Sequence, residues 1–142
     1  MLERTCVIIK PDAVRMEHTK AIIARYEAAG LQIVMRQEEH LTYQGAGDFY
    51  DEHRGKCFFV GLCLGMSCGP IVALTLQGEN AIQRVRELNG ATNPKDALPG
   101  TIRADFRSAG GPFNTVHGSE NTEAARREIN FFQACRGLRI ER

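Results

Sequence analysis

Thr5-Cys6-Val7-Ile8-Ile9-Lys10 constrains the fold of this chain more than any other segment. Its apolar residues run on without alternation. A strand made from them is therefore buried on both faces, and Pro11 halts it. Cover is needed on both sides of such a strand, so the other elements must be found along the chain.

Residues 19–29 carry Ile22, Ile23, Tyr26 and Ala29 at helical spacing, with Gly30 placed as the C-terminal stop. Leu31 to about Met35 reads as a second strand. Asp48 to His53 and Phe58 to Met66 read as two short helices or one bent helical hairpin. Gly69-Pro70 opens a strong strand, Ile71 to Leu76. Segment 79–89 is helical, with Ala81, Ile82, Val85 and Leu88 on one face and Gly90 as its cap. From Gly90 to about Pro112 there is no periodicity, only a long stretch rich in Gly, Pro, Asn and Asp that also carries Lys95, Arg103 and Arg107. Such segments inside compact domains tend to be functional or disordered. Phe113 to His117 is the last strand, and a helix follows from about Glu120 to Gln133.

This order predicts a ferredoxin-like, split βαβ α+β sandwich: a four-stranded antiparallel sheet with helices, and the long Gly/Pro loop near the active site. The layout puts helices on one face. The other face must be covered by a partner, a ligand or the inserted helical segment.

No repeat, low-complexity tract or boundary interrupts the 142 residues, which read as one domain, 1–142. The formal net charge of +1 argues against broad electrostatic binding to nucleic acid or an acidic membrane. No apolar run is long enough to span a bilayer, and Met1-Leu2-Glu3-Arg4 lacks the apolar core of a signal peptide. Cys6, Cys57, Cys63, Cys68 and Cys135 are odd in number, scattered and free of any Cys-x-x-Cys pair. Neither zinc nor a disulfide framework is supported, and reduced thiols in a cytoplasmic protein are the simpler reading.

The chemistry concentrates near the C-terminus. Asn114-Thr115-Val116-His117-Gly118-Ser119-Glu120 places a lone imidazole at the end of an apolar run, just before a helix. Neutral imidazole is a competent nucleophile near pH 7, although a His in a capped turn more often only satisfies a backbone group. On the following helix Ala124, Ala125, Phe131, Phe132 and Cys135 fall within one apolar arc, with Glu128 in its middle and Glu123, Arg126, Arg127 and Asn130 opposite. A buried carboxylate needs a donor. The candidates are the His117 ring, Ser119, or an Arg such as Arg86 or Arg103. Equally compatible with the pattern is a Glu128 that reaches past the helix edge to a surface Arg.

Other residues suit an anion. Lys10 ends the buried strand, where an ordinary solvated Lys is the more frequent case; Arg86 lies late in its helix, where the dipole alone favours a cation; Thr92 and Arg103 sit in the Gly/Pro loop. An Arg fork matches phosphate oxygens and Thr adds a hydroxyl donor. No P-loop motif occurs. Of the adjacent rings Phe58 and Phe59, only one can enter the core from one helix face, leaving the other as a second core contact or a stacking surface for a base.

Assembled in order, these residues resemble the nucleoside diphosphate kinases over essentially the whole chain. The resemblance rests on Ile9-Lys10-Pro11-Asp12, Phe49-Tyr50-x-Glu52-His53, Ser67-Cys68-Gly69-Pro70, the run from Ala91-Thr92-Asn93-Pro94 through Pro99-Gly100-Thr101-Ile102-Arg103-Ala104-Asp105-Phe106, and Asn114-x-x-His117-Gly118-Ser119-Glu120. It implies that His117 takes the γ-phosphate of a nucleoside triphosphate and passes it, by a ping-pong route, to a nucleoside diphosphate. It also implies that Glu128, with Ser119, orients the ring. Lys10, Tyr50, Arg86, Thr92, Arg103 and Asn114 would position phosphates and ribose, and Phe58 would stack on the base. Mg²⁺ would be bound through the nucleotide phosphates rather than in a protein cage, and the chain would form a dimer-based tetramer or hexamer. Against the family pattern, Cys57 replaces Pro, Cys68 replaces Ser, Glu120 replaces Asp and Asn121 replaces Ser. Arg15 to Lys20 lacks the Gly-rich helix entry, and one extra residue falls between Arg103 and His117. A binding or regulatory protein on the same fold is the competing expectation. An RNA-binding ferredoxin-like module ranks last, for want of aromatic-rich motifs and basic charge.

Overall fold

The computed structural model describes residues 1–107 and 114–140. Strands β1 (Leu2–Ile9), β2 (Gln32–Glu39), β3 (Ile71–Glu79) and β4 (Val116–Gly118) form one antiparallel sheet in the order β2-β3-β1-β4. Around it lie helices α1 (Pro11–Arg15), α2 (Thr19–Ala28), α3 (Tyr43–Phe49), α4 (Phe59–Ser67), α5 (Ala81–Asn89), α6 (Ile102–Asp105) and α7 (Thr122–Ile140). This is the α+β sandwich that the element order predicts.

β1 lies inside the sheet, between β3 and β4, which is why its residues are apolar on both sides. Val7 and Ile9, with Val72, Leu74, Leu76 and Val116, pack on Ile22, Ile23 and Tyr26 of α2 and on Ala81 and Val85 of α5. Cys6 and Ile8, with Ile71 and Ala73, face the other way. They meet Ala46 and Phe49 of α3, Cys63 and Met66 of α4 and Phe132 of α7. The inserted helical pair and α7 thus cover the sheet face that the simple layout leaves open. A fully buried Ile or Phe in either layer contributes about 1.5–3 kcal/mol of transfer free energy.

Several boundaries differ from expectation for identifiable reasons. Pro11 does more than halt β1: it occupies the first turn of α1, where its missing N–H costs nothing. β2 runs on to Glu39 through residues that look like surface. It is an edge strand, and its buried Gln37 is satisfied by the Phe132 carbonyl at 2.9 Å and by Glu39 at 3.0 Å. The stretch after Gly90 is not structureless. A 3₁₀ turn at Pro94–Asp96 and the four-residue α6 interrupt it, each with a polar side chain (Asn93, Thr101) capping its N-terminus. Both are too short to show periodicity. Gly30 and Gly90 do stand at helix ends, with φ of 87° and 85°. Of the expected strand Phe113 to His117, Phe113 lies outside the described residues and β4 begins at Val116. α7 continues beyond Gln133. No helix among the described residues is long and apolar enough to cross a membrane.

Candidate active site

A cleft of about 900 Å³ opens between β4, the α3–α4 insert and the segment after α5. Lys10, Tyr50, Phe58, Arg86, Thr92, Arg103, Asn114, His117 and Glu128 all line it, so nine of the ten residues singled out from sequence share one cavity. The tenth, Ser119, stands behind Glu128.

His117 is held in β4, antiparallel to β1 and opposite Ile8. Its Nε2 lies 2.8 Å from Glu128 Oε1, and the Ser119 hydroxyl donates to the same oxygen at 2.7 Å. Both partners come from β4 and the residue after it, while Glu128 arrives on the inner face of α7 and is only 3% exposed. The buried carboxylate therefore finds its donors in His117 and Ser119, not in Arg86 or Arg103. Burial pushes the Glu128 carboxyl up, but the His117 ring, the bonds from His117 and Ser119, and Arg127 together outweigh it and hold the group below its ordinary range. An ionised Glu128 accepting from Nε2–H leaves Nδ1 with its lone pair for chemistry. The rings of Phe49 and Tyr50 stand edge-on to the imidazole, with centroids at 5.3 and 6.3 Å, and limit its rotation.

Just upstream the chain turns tightly. Thr115 has φ of 73°, and the Val116 N–H donates to the Asn114 carbonyl at 2.8 Å, closing a γ-turn. A β-branched residue held this way costs on the order of 1–3 kcal/mol. The turn is secured by Lys10 N–H to the Thr115 carbonyl (2.9 Å), Thr115 N–H to Asp12 Oδ2 (3.1 Å) and the Thr115 hydroxyl to the Phe106 carbonyl (3.0 Å). It lets the Asn114 side chain accept from Lys10 Nζ at 2.7 Å while donating to the Thr92 carbonyl at 3.2 Å.

The cleft is electropositive at its floor. Arg103 is 8% exposed and spends its fork on three carbonyls, those of Asn114 (3.1 Å), Gly90 (2.7 Å) and Val116 (2.7 Å), so its charge meets no carboxylate there. Burial lowers its pKa and the facing Arg86 adds to the effect. Lys10 is brought down to about 8 by burial first and by Arg103 next, with Asp12 pulling the other way. Two buried cations this close, with Asp12 offsetting only part of the charge at Lys10, are an anion's counterpart. The Tyr50 hydroxyl is buried with no hydrogen-bond partner among the described residues, and burial raises its pKa. At the mouth, Phe58 is 48% exposed, beneath Lys56 Nζ at 5.7 Å from the ring centroid, whereas Phe59 turns inward against the core. Arg86 and Thr92 are exposed on the opposite wall.

Sequence reasoning missed Asp12, which anchors the γ-turn, and Asn89, which is 1% exposed and accepts from Tyr26 at 2.5 Å beside the cleft. The polar Asn89 just before the Gly90 cap was the available signal. Among the described residues no group of three or more His, Cys, Asp or Glu could hold a metal ion. The cations, amides and hydroxyls of the walls instead fit an ion that arrives on a ligand's phosphates.

The low Lys10 pKa carries a signed expectation. Between pH about 8 and 10.5 the unfolded chain binds more protons at Lys10 than the folded one. Stability from this group therefore rises with pH across that window and is lowest below it, by on the order of 3 kcal/mol. Denaturation at pH 7.5 and 9.5 should show this gain in the native chain and its loss in Lys10→Met. Equal pH profiles for the two would contradict it.

The nucleoside diphosphate kinase family model matches residues 3–136. Among solved structures, the chain is similar to the Aquifex aeolicus nucleoside diphosphate kinase, at 41% identity over 93% of this chain and 95% of that one, with a TM-score of 0.89. It is similar to a halophilic nucleoside diphosphate kinase from Halobacterium salinarum in complex with CDP, at 40% identity, 93% and 88% coverage and a TM-score of 0.86. A transition-state mimic of the Borrelia burgdorferi enzyme with bound vanadate and ADP matches at 32% identity, 92% and 86% coverage and a TM-score of 0.84.

Proposed function

The chain belongs to the nucleoside diphosphate kinase family and has that activity, and from this premise we propose that His117 carries the phosphate by a ping-pong route. One observation carries the assignment: Glu128 engages Nε2 at 2.8 Å, which leaves Nδ1 for the cleft that Lys10, Arg86 and Arg103 make electropositive. The Nδ1 lone pair attacks the γ-phosphorus of a nucleoside triphosphate, the bond to the β-phosphate oxygen breaks, and the diphosphate leaves. A β-phosphate oxygen of a second nucleoside diphosphate then attacks the phosphohistidine, the N–P bond breaks, and a triphosphate departs. Glu128 supports the imidazole as it gains positive character, and Ser119 keeps the carboxylate in line.

Phosphoryl transfer asks mainly for positioning and charge stabilisation. Lys10, Arg86 and the buried charge of Arg103 meet the phosphate oxygens. Tyr50 offers them a hydroxyl that has no other partner among the described residues. Thr92 and Asn114 hold the phosphate and ribose end, and Phe58 supplies a stacking face that tolerates any base. Lys10, Arg86 and Arg103 would hold the phosphates, and an Mg²⁺ brought in on the nucleotide would supply further charge neutralisation there. The proposal extends to a cytoplasmic homo-oligomer, a dimer-based tetramer or hexamer, in which the edge strand β2 is where a partner's strand would join the sheet.

Incubation with γ-labelled ATP followed by GDP tests the route. An acid-labile label should appear on the peptide containing His117 and move to GTP. Label that stays on the protein, or that maps elsewhere, would sink the assignment.

A further inference from the structure

Glu128 uses its two oxygens differently. Oε1 receives His117 and Ser119, whereas Oε2 faces Arg127 Nη2 at 3.8 Å. Arg127 is the preceding residue on α7, and successive helical residues point about 100° apart. Its stem therefore leaves from the solvent side of the helix, where the side chain is 42% exposed. Two contacts, one from the last residue of α3 and one from the turn after it, draw its guanidinium back over the carboxylate. Nη1 donates to the Phe49 carbonyl at 3.1 Å and Nη2 pairs with Glu52 Oε1 at 2.9 Å. Nη2 thus stands between two carboxylates, one on the cleft rim and one behind His117. The same end of α3 carries Phe49 and Tyr50, whose rings face the imidazole. It grips His117 directly by the rings and indirectly through Arg127 and Glu128.

We propose that Arg127, held by Glu52 and the Phe49 carbonyl, is a positioning residue for phosphoryl transfer: it steadies the free oxygen of Glu128 so that Oε1 keeps the Nε2–H tautomer of His117. This rests on the phosphohistidine reading of the site. Arg127 is not among the residues that line the cleft, so its loss acts on the transfer step and spares binding. A reactive group displaced by a fraction of an ångström loses rate steeply.

The test uses the full chain as Arg127→Met, Arg127→Lys, Glu52→Gln and the Arg127→Met/Glu52→Gln pair. Single-turnover labelling of His117 by ATP, ADP affinity and the ¹⁵N spectrum of the His117 ring are measured on each. Arg127→Met should slow labelling about tenfold with ADP affinity within about twofold, and its ring should show mixed tautomers. Arg127→Lys should recover part of the rate. Glu52→Gln should slow labelling less than Arg127→Met, and the pair should be no slower than Arg127→Met alone. A native rate and spectrum in Arg127→Met, or effects that multiply in the pair, would overturn the proposal while leaving the phosphohistidine reading intact. A native chain that gains no phosphate on His117 would overturn both.

Discussion

His117→Ala should lose nucleoside diphosphate kinase turnover by about four orders of magnitude or more, while still binding ADP within a few-fold of the native chain. Removing a nucleophile eliminates the covalent route, and what remains is a cleft that positions two nucleotides with nothing to pass between them. Binding survives because the phosphate-facing cations are held without the imidazole. Lys10 is bonded to Asn114, and Arg103 is fixed by three carbonyls. The variant is expected to fold at some cost. Glu128 Oε1 keeps Ser119 but loses its His117 partner, and Phe49 loses a ring contact. Leaving a buried charged group short of one partner costs about 1–3 kcal/mol. Steady-state turnover and calorimetric ADP binding decide the matter together. Residual turnover above about one per cent of native, with ADP still bound, would remove His117 from the covalent role.

Glu128→Gln should cut kcat by about 10²- to 10³-fold with a small change in KM, an effect far beyond the loss of one charge. The native carboxylate can only accept, so it fixes the proton on Nε2 and the lone pair on Nδ1. A Gln amide in the same place can turn its NH₂ toward the ring. Nε2 then becomes the acceptor, the proton moves to Nδ1, and the nucleophilic nitrogen is lost. Even in the productive orientation, the neutral amide gives no ion-pair support to an imidazole gaining positive charge. Ser119 offers no escape, because its hydroxyl rotates to suit either oxygen or nitrogen. Stopped-flow labelling with ATP separates this from a binding defect. A kcat within threefold of native would mean that Glu128 does not set the tautomer.

How far the site was legible in the sequence depended on whether burial left a contradiction on the page. Glu128 stood out because a carboxylate centred on an apolar helix face is costly without a donor, and the donors proved to be two of those weighed. The alternative of a Glu128 reaching out to a surface Arg does not hold, since Glu128 stays buried and it is Arg127 that comes in to within 3.8 Å of the second oxygen. Arg127 escaped notice because helical spacing puts its stem on the far side, and only the end of α3 and the turn after it draw the guanidinium back. Lys10 was less legible than Glu128, because a Lys at a strand end is ordinarily solvated, and its burial and its bond to Asn114 appear only in the fold. Arg103 was legible as an anion-site residue, but not its three carbonyl contacts, which depend on a γ-turn at Thr115 that no residue preference foretells. In the fold, β1 was readable from its unbroken apolar run. The far half of β2 was not, because an edge strand with a hydrogen-bonded buried Gln37 looks like surface. α6 and the 3₁₀ turn before it are shorter than the period by which helices are recognised.

The mechanism requires that Glu128 hold Nε2 of His117 and so give Nδ1 to the phosphate. Phosphorylating the ¹⁵N-histidine-labelled chain with ATP and reading the ³¹P–¹⁵N couplings under denaturing, alkaline conditions identifies the bonded nitrogen directly. Phosphate on Nδ1 of His117 is the predicted result; phosphate on Nε2 would contradict the arrangement from which the mechanism is derived.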